Sequence, residues 1–98
     1  DRNLETDEEY LSPSFKALFG YADHELPNHA STWQRLIHPD DLPVTTEAIR
    51  EHLLHDAPFN LPVRFRHKNG SIVWVLTRGV ALKGPDGRPV RMVGTHTD

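Results

Sequence analysis

The 98 residues specify a single α+β domain, with helices packed on one face of an antiparallel sheet. Three observations lead there. The last third of the chain holds three strand-like runs separated by two turn signals, Lys68-Asn69-Gly70 and Lys83-Gly84-Pro85-Asp86-Gly87. Asn-Gly and Asp-Gly supply the positive-φ positions that tight hairpins need, so these runs should lie antiparallel. The middle of the chain carries helix starts and stops instead. The apolar fraction of 37% with 26% charged residues suits one modest core, and no linker or repeat divides residues 1–98.

Taken in order, residues 1–12 are acidic and polar, and Tyr10-Leu11 is their one adjacent apolar pair. Glu8 to Ser12 is therefore no more than a short strand. Ser12-Pro13 starts a helix, with serine as N-cap and proline in the first turn, where its missing N–H costs nothing. Phe15, Leu18 and Phe19 form that helix's apolar stripe, and Gly20 ends it. Residues 21–31 read as a loop with one helical turn. Thr32 to Ile37 forms a second short helix, stopped by Pro39. His38-Pro39-Asp40-Asp41 launches the longest helix, Asp41 to His55, with Asp40 or Asp41 as its cap and Pro43 tolerated in the first turn. Asp56-Ala57-Pro58 closes it. Phe59 to Arg66 alternates apolar and polar residues, and Pro62, which cannot donate to a ladder, puts this strand at an edge. Ser71 to Leu82 is the central strand. Its unbroken apolar run from Ile72 to Leu76 marks a strand covered on both faces. Pro89 to Thr97 is the last strand.

Several functions are excluded by composition. Without cysteine there is no disulfide, thiolate metal site or cysteine nucleophile, and the chain fits a reducing, cytoplasmic compartment. A net charge of -3 and a pI near 6.1 leave no nucleic-acid footprint. No apolar run approaches the roughly 18 residues of a membrane span, and these residues hold no signal-peptide pattern, so no direct membrane insertion is expected. Helix capping explains Asp40 and Asp41, and His38 sits before a turn-forming proline. With no catalytic triad spacing or phosphate-binding loop, no enzymatic activity is expected. His52 and His55, at i and i+3 on the long helix, read as partly exposed helix histidines and not as a metal pair.

A set of motifs then falls in a particular order: Tyr10-Leu11-Ser12-Pro13, Leu18-Phe19-Gly20-Tyr21, Trp33 with Leu36-Ile37-His38-Pro39-Asp40-Asp41, Lys68-Asn69-Gly70-Ser71, Trp74, and Asp86-Gly87-Arg88-Pro89-Val90 with Val93-Gly94-Thr95 and Asp98. Their order and spacing resemble the PAS domain in its PAC-containing bacterial form, over nearly the whole chain. The resemblance implies a five-stranded antiparallel sheet in spatial order 2-1-5-4-3 with short helices over one face. It also implies a non-catalytic sensor excised from a larger two-component or related signalling protein, whose output domain is a histidine kinase or a diguanylate cyclase. Asp98 would begin the short element through which the signal exits. One departure stands out. Where such domains place an apolar first strand, this chain has Asp1-Arg2-Asn3-Leu4, so that strand is either short and polar or truncated.

The site expectations follow from the resemblance and from residue size. A pocket between helices and sheet would be lined by Trp33, Ile37, Ile49, Phe59 and Leu61. With no polar constellation marking it, the preferred reading is that side chains fill it and the domain relays signals through a homodimer. A bound small molecule is the alternative. Val73, Trp74 and Val75 are the interface residues, with either Trp74 or the two valines facing outward. Arg78, in an apolar strand, is expected to pair with an acid. No cofactor is expected. Haem, if bound, would use His52 or His55, and the flavin photochemistry of related photosensors lacks its cysteine here.

Overall fold

The computed structural model describes residues 1–98. Its elements are β1 (Arg2–Asn3), α1 (Pro13–Leu18), α2 (Ala30–Leu36), α3 (Asp41–His55), β2 (Phe59–Arg66), β3 (Ile72–Lys83) and β4 (Pro89–Thr97), with a short 3-10 turn at Asp23–Glu25. All strand pairs are antiparallel, in the order β1-β4-β3-β2. β2 is thus an edge strand, where Pro62 leaves no gap in a central ladder. β3 lies between β2 and β4, as the two hairpin turns require, and Gly70 and Gly87 supply the left-handed turn positions at φ 89° and 80°.

The sheet has four strands, not five. The expected strand around Tyr10 is reduced to one antiparallel bridge between Arg2 and Glu9. Consecutive glutamates at 8 and 9 have little tendency to extend, and Asp7 turns the chain through φ 63° just before them. At residues 1–4 a strand does form, but only over two residues. It pairs Arg2 with Met92 and Asn3 with Arg91. The outer edge of β4 from Val93 to Thr97 has no neighbouring strand.

Alternation along the strands sorts the side chains. Val63, Phe65, Val75 and Thr77 are buried beneath the helices, while Trp74 is 58% exposed and Ile72, Val80 and Leu82 share its outward face. Leu11, Phe15, Phe19, Leu36 and Ile37 complete the core from the helical side. Phe19 sits 4.8 Å from Phe65 and 5.1 Å from Phe15 between ring centroids, in stacked and edge-on geometry.

The helix ends show which capping expectations hold. Ser12 Oγ accepts from the Phe15 N–H at 3.1 Å, and Gly20 follows α1 at φ 83°. A side chain at Gly20 would collide with the His67 ring. Asp40 holds the N-cap position of α3, but its side chain makes no capping hydrogen bond. Asp41 instead reaches β2, where a better partner waits: its carboxylate accepts from the Arg64 N–H at 2.8 Å, Nε at 3.0 Å and Nη2 at 2.6 Å. At the other end of α3, His52 Nδ1 lies 2.6 Å from the Ala57 carbonyl, and its Nε2 accepts from the Ala81 N–H at 3.0 Å. The β2–β3 register, in which Phe59 faces Gly79, would set Ala57 opposite Ala81. The imidazole therefore continues the ladder where the two strands part.

Candidate functional site

Helices and sheet are not packed against each other throughout. A cavity of about 320 Å³ lies between α3, α1 and the inner faces of β3 and β4, and the N-terminal segment contributes Asp1, Arg2, Leu4, Glu9 and Tyr10 to its wall. Such a volume is at the lower end of the range for small-molecule sites. Its apolar wall includes Phe15, Trp33, Ile49, Phe59, Phe65 and Met92. Gly79 and Gly94 face each other across β3 and β4, so this part of the sheet presents bare backbone. A methyl group at Gly79 would come within 3.0 Å of Met92 Cε and 3.1 Å of the Phe59 ring.

The polar groups of the cavity are unusual. Three buried side-chain oxygens in the chain make no hydrogen bond: Glu9 Oε2, Thr45 Oγ1 and Thr77 Oγ1. All three residues line this cavity. Thr45 and Thr77 are 4% and 6% exposed, and an unpaired buried hydroxyl costs about 1–3 kcal/mol. Burial raises the Glu9 carboxyl above the ordinary glutamate value, against the pull of the N-terminal ammonium and Arg2. His96 also lines the cavity, with its ring edge-on to Phe15 at 4.6 Å. Burial, with a smaller contribution from the N-terminal ammonium, lowers its pKa from 6.5 to about 4, so the imidazole is neutral at pH 7.

The expected pocket residues divide. Trp33, Ile49 and Phe59 line the cavity; Ile37 and Leu61 do not. Ile37 is buried in the core, where it bridges to Phe65, and Leu61 packs against the same cluster. The space is not filled by side chains, contrary to the preferred expectation. Neither His52 nor His55 lines it. Both His52 nitrogens are engaged in backbone hydrogen bonds, and His55 lies exposed beside Glu51, so neither presents a nitrogen to a haem in the cavity. No three His, Asp or Glu side chains converge as a metal site. Thr45, Thr77 and the glycine pair were missed by reasoning that looked for large apolar residues. Their signal was legible: the inward parity of β3 runs Val73, Val75, Thr77, Gly79, from large to small.

On the outer face, Trp74 stands exposed, while Val75 is buried and Val73 packs on the core. Only Trp74 of the three expected interface residues is available there. The Arg64 guanidinium lies 5.4 Å over its ring. Hydrogen bonds from Arg64 hold the Asp41 carboxyl below the ordinary aspartate value. Asp41, Arg64 and Trp74 thus form a continuous contact from the start of α3 to the outer face. Arg78 is exposed and makes no ion pair. Asp98 follows the end of β4. No helix is long and apolar enough to cross a membrane.

Comparison with known proteins places this architecture. The profile of the PAS fold family matches residues 8–96. A sensory box histidine kinase/response regulator from Burkholderia thailandensis is 40% identical, with a TM-score of 0.82 over 99% of this chain and 72% of that one. The N-terminal domain of a diguanylate cyclase with PAS/PAC sensor from Marinobacter aquaeolei has the same fold, with a TM-score of 0.83 at 20% identity, covering 99% of this chain and 89% of that one. The peroxide stress-activated histidine kinase of Schizosaccharomyces pombe is 34% identical over 76 residues, which are 76% of this chain and 3% of the kinase's length. With its fold, motif order and relatives in agreement, the chain belongs to the PAS fold family.

Proposed function

We propose that this chain senses a small molecule in the cavity between α3 and the sheet and relays its presence to an output domain of the histidine kinase or diguanylate cyclase type. The observation that carries the reading is a cavity of about 320 Å³ whose wall includes Thr45 and Thr77, two buried residues whose hydroxyls have no hydrogen-bond partner. A cavity meant only to be filled would be lined by apolar groups of sufficient size. A ligand that binds one arrangement of α3 against the sheet better than the other shifts the balance between them. Thr45 and Ile49 are on α3, and the same helix begins at Asp41, which grips Arg64 beside Trp74. Ligand-dependent movement of α3 is therefore felt on the outer face. There Ile72, Trp74, Val80 and Leu82 offer an apolar surface for a second copy or a flanking helix, and Asp98 is the exit.

Native mass spectrometry of the purified chain, with an absorbance scan, tests this reading. A co-purifying small molecule lost in a Thr45→Val/Thr77→Val variant supports it; a ligand-free protein that stays so when challenged with a metabolite library removes it. Size-exclusion chromatography with light scattering checks the relay arm: Trp74→Ser should reduce self-association.

A further inference from the structure

Two surfaces on opposite sides of the chain carry matching patterns. On the outer sheet face, β3 presents Trp74, Leu76, Arg78, Val80 and Leu82 in turn, so a cation stands between two apolar stretches. Trp74, Val80 and Leu82 are between 44% and 58% exposed. The arginines of this face differ in their partners. Arg64 is held by Asp41 and Arg91 by Asp1, but Arg66 and Arg78 are exposed and make no ion pair. The face therefore holds positive charge with no free carboxylate to meet it.

The outward side of α3 has the same pattern with the opposite charge. Val44, Glu47, Glu51 and Leu54 follow one another at helical spacing, on the side away from Thr45 and Ile49. Val44 and Leu54 are 56% and 60% exposed, with the two carboxylates between them. Arg50 reaches Glu47 at 3.3 Å and Glu51 at 3.9 Å, and His55 lies 4.0 Å from Glu51. Exposed pairs of this kind contribute little, so both carboxylates are open to a further partner. From Val44 to Leu54 is about 15 Å along a helix. From Leu76 to Val80 is roughly 13 Å along a strand, and from Trp74 to Val80 roughly 20 Å. The apolar ends of the helix stripe thus span the two apolar stretches of β3, with the acids over Arg78.

From this match we propose that the outer sheet face of one copy receives α3 of a second copy, with Glu47 and Glu51 at Arg78 and with Val44 and Leu54 against the apolar residues on either side. Sheet against sheet would instead add the unpaired arginines of one copy to those of the other, with no acid between them. Because α3 covers the inner face of the sheet, each copy keeps one surface free, and assembly proceeds head to tail. The contact rests on the relay half of the proposed function and names its partner. The helix that lines the cavity through Thr45 and Ile49 is the one presented to the next copy.

Sedimentation velocity of the full chain at pH 7, over a range of concentrations, tests it. Trp74→Ser disables the sheet surface and Leu54→Ser the helix surface, and each should weaken self-association at least tenfold. Mixed, these two variants should form a one-to-one complex that grows no further, because the intact sheet of one meets the intact α3 of the other. Arg78→Glu should also weaken association at least tenfold, and adding Glu47→Lys/Glu51→Lys to the same chain should restore it. Thermal unfolding establishes that each variant is folded, and the charge variants carry the test if Trp74→Ser proves unstable. If Trp74→Ser abolishes self-association while Leu54→Ser and Glu47→Lys/Glu51→Lys leave it unchanged, the α3 contact fails and self-association through the outer face stands. A wild-type chain that stays monomeric throughout removes both, and the sensing half is then judged by co-purification alone.

Discussion

The layer between helices and sheet has two ends built on opposite terms. At one end Phe15, Phe19, Phe65, Val63, Leu36 and Ile37 are packed ring against ring with no unpaired polar atom among them. At the other, Thr45, Ile49, Thr77, Gly79, Gly94 and His96 surround open space, and the buried unpaired oxygens of the chain are confined to it. Phe15 and Phe65 belong to both ends, so no change of element separates them. The difference lies in side-chain volume along the same strands. Stability is concentrated where the residues are large and apolar, and specificity where they are small or polar.

The largest test of this contrast is at the packed end. Phe19→Ala removes a ring with no exposed surface and should cost about 3–5 kcal/mol in urea unfolding. A loss below about 1 kcal/mol would mean that the packed end is not where stability resides.

Next is His96, whose folded pKa of about 4 lies below its unfolded value near 6.5. The sign follows from proton uptake. Above pH 6.5 both states are neutral and the imidazole is free to stay buried. As the pH falls from 6.5 toward 4 the unfolded chain takes up a proton that the folded chain refuses, so stability drops by up to roughly 3 kcal/mol. His96→Leu should flatten the curve of stability against pH over that window, as read from unfolding curves at several pH values. An unchanged slope would assign the acid sensitivity to another group.

His52 stands at the margin of the hollow end. Its imidazole joins α3 to the Ala57 carbonyl and the Ala81 N–H. His52→Leu leaves both backbone groups unpaired and should cost about 1–3 kcal/mol. Hydrogen exchange would show the loss locally, at Ala81.

The smallest change has the opposite sign. Thr77→Val replaces an unpaired hydroxyl with a methyl group of similar shape and should raise the stability of the ligand-free chain by about 1 kcal/mol. Together with weaker ligand binding, that gain would identify a site where stability was given up for recognition. A destabilised Thr77→Val would instead show that the hydroxyl has a partner in the folded chain.

Much of the architecture is legible from local chemistry. Ser12-Pro13 and Gly20 bound α1, Asn69-Gly70 and Asp86-Gly87 set the two hairpins, and Pro62 sends its strand to the edge, because each acts on the backbone at or beside its own position and needs no distant partner. The order of the motifs also identifies the family. What local chemistry misassigned has a common cause. Asp41 is a good helix cap by composition, but Arg64, 23 residues away, forms three hydrogen bonds with it, two from its guanidinium and one from its backbone N–H. His52 resembles a surface histidine until β2 and β3 separate on either side of its ring. Val73, Trp74 and Val75 alternate, which makes them face opposite ways but does not say which way is inward. The cavity itself is a shortage of volume among residues drawn from α1, α3, β3 and β4. No one segment carries that shortage, so it exists only once the segments have been brought together.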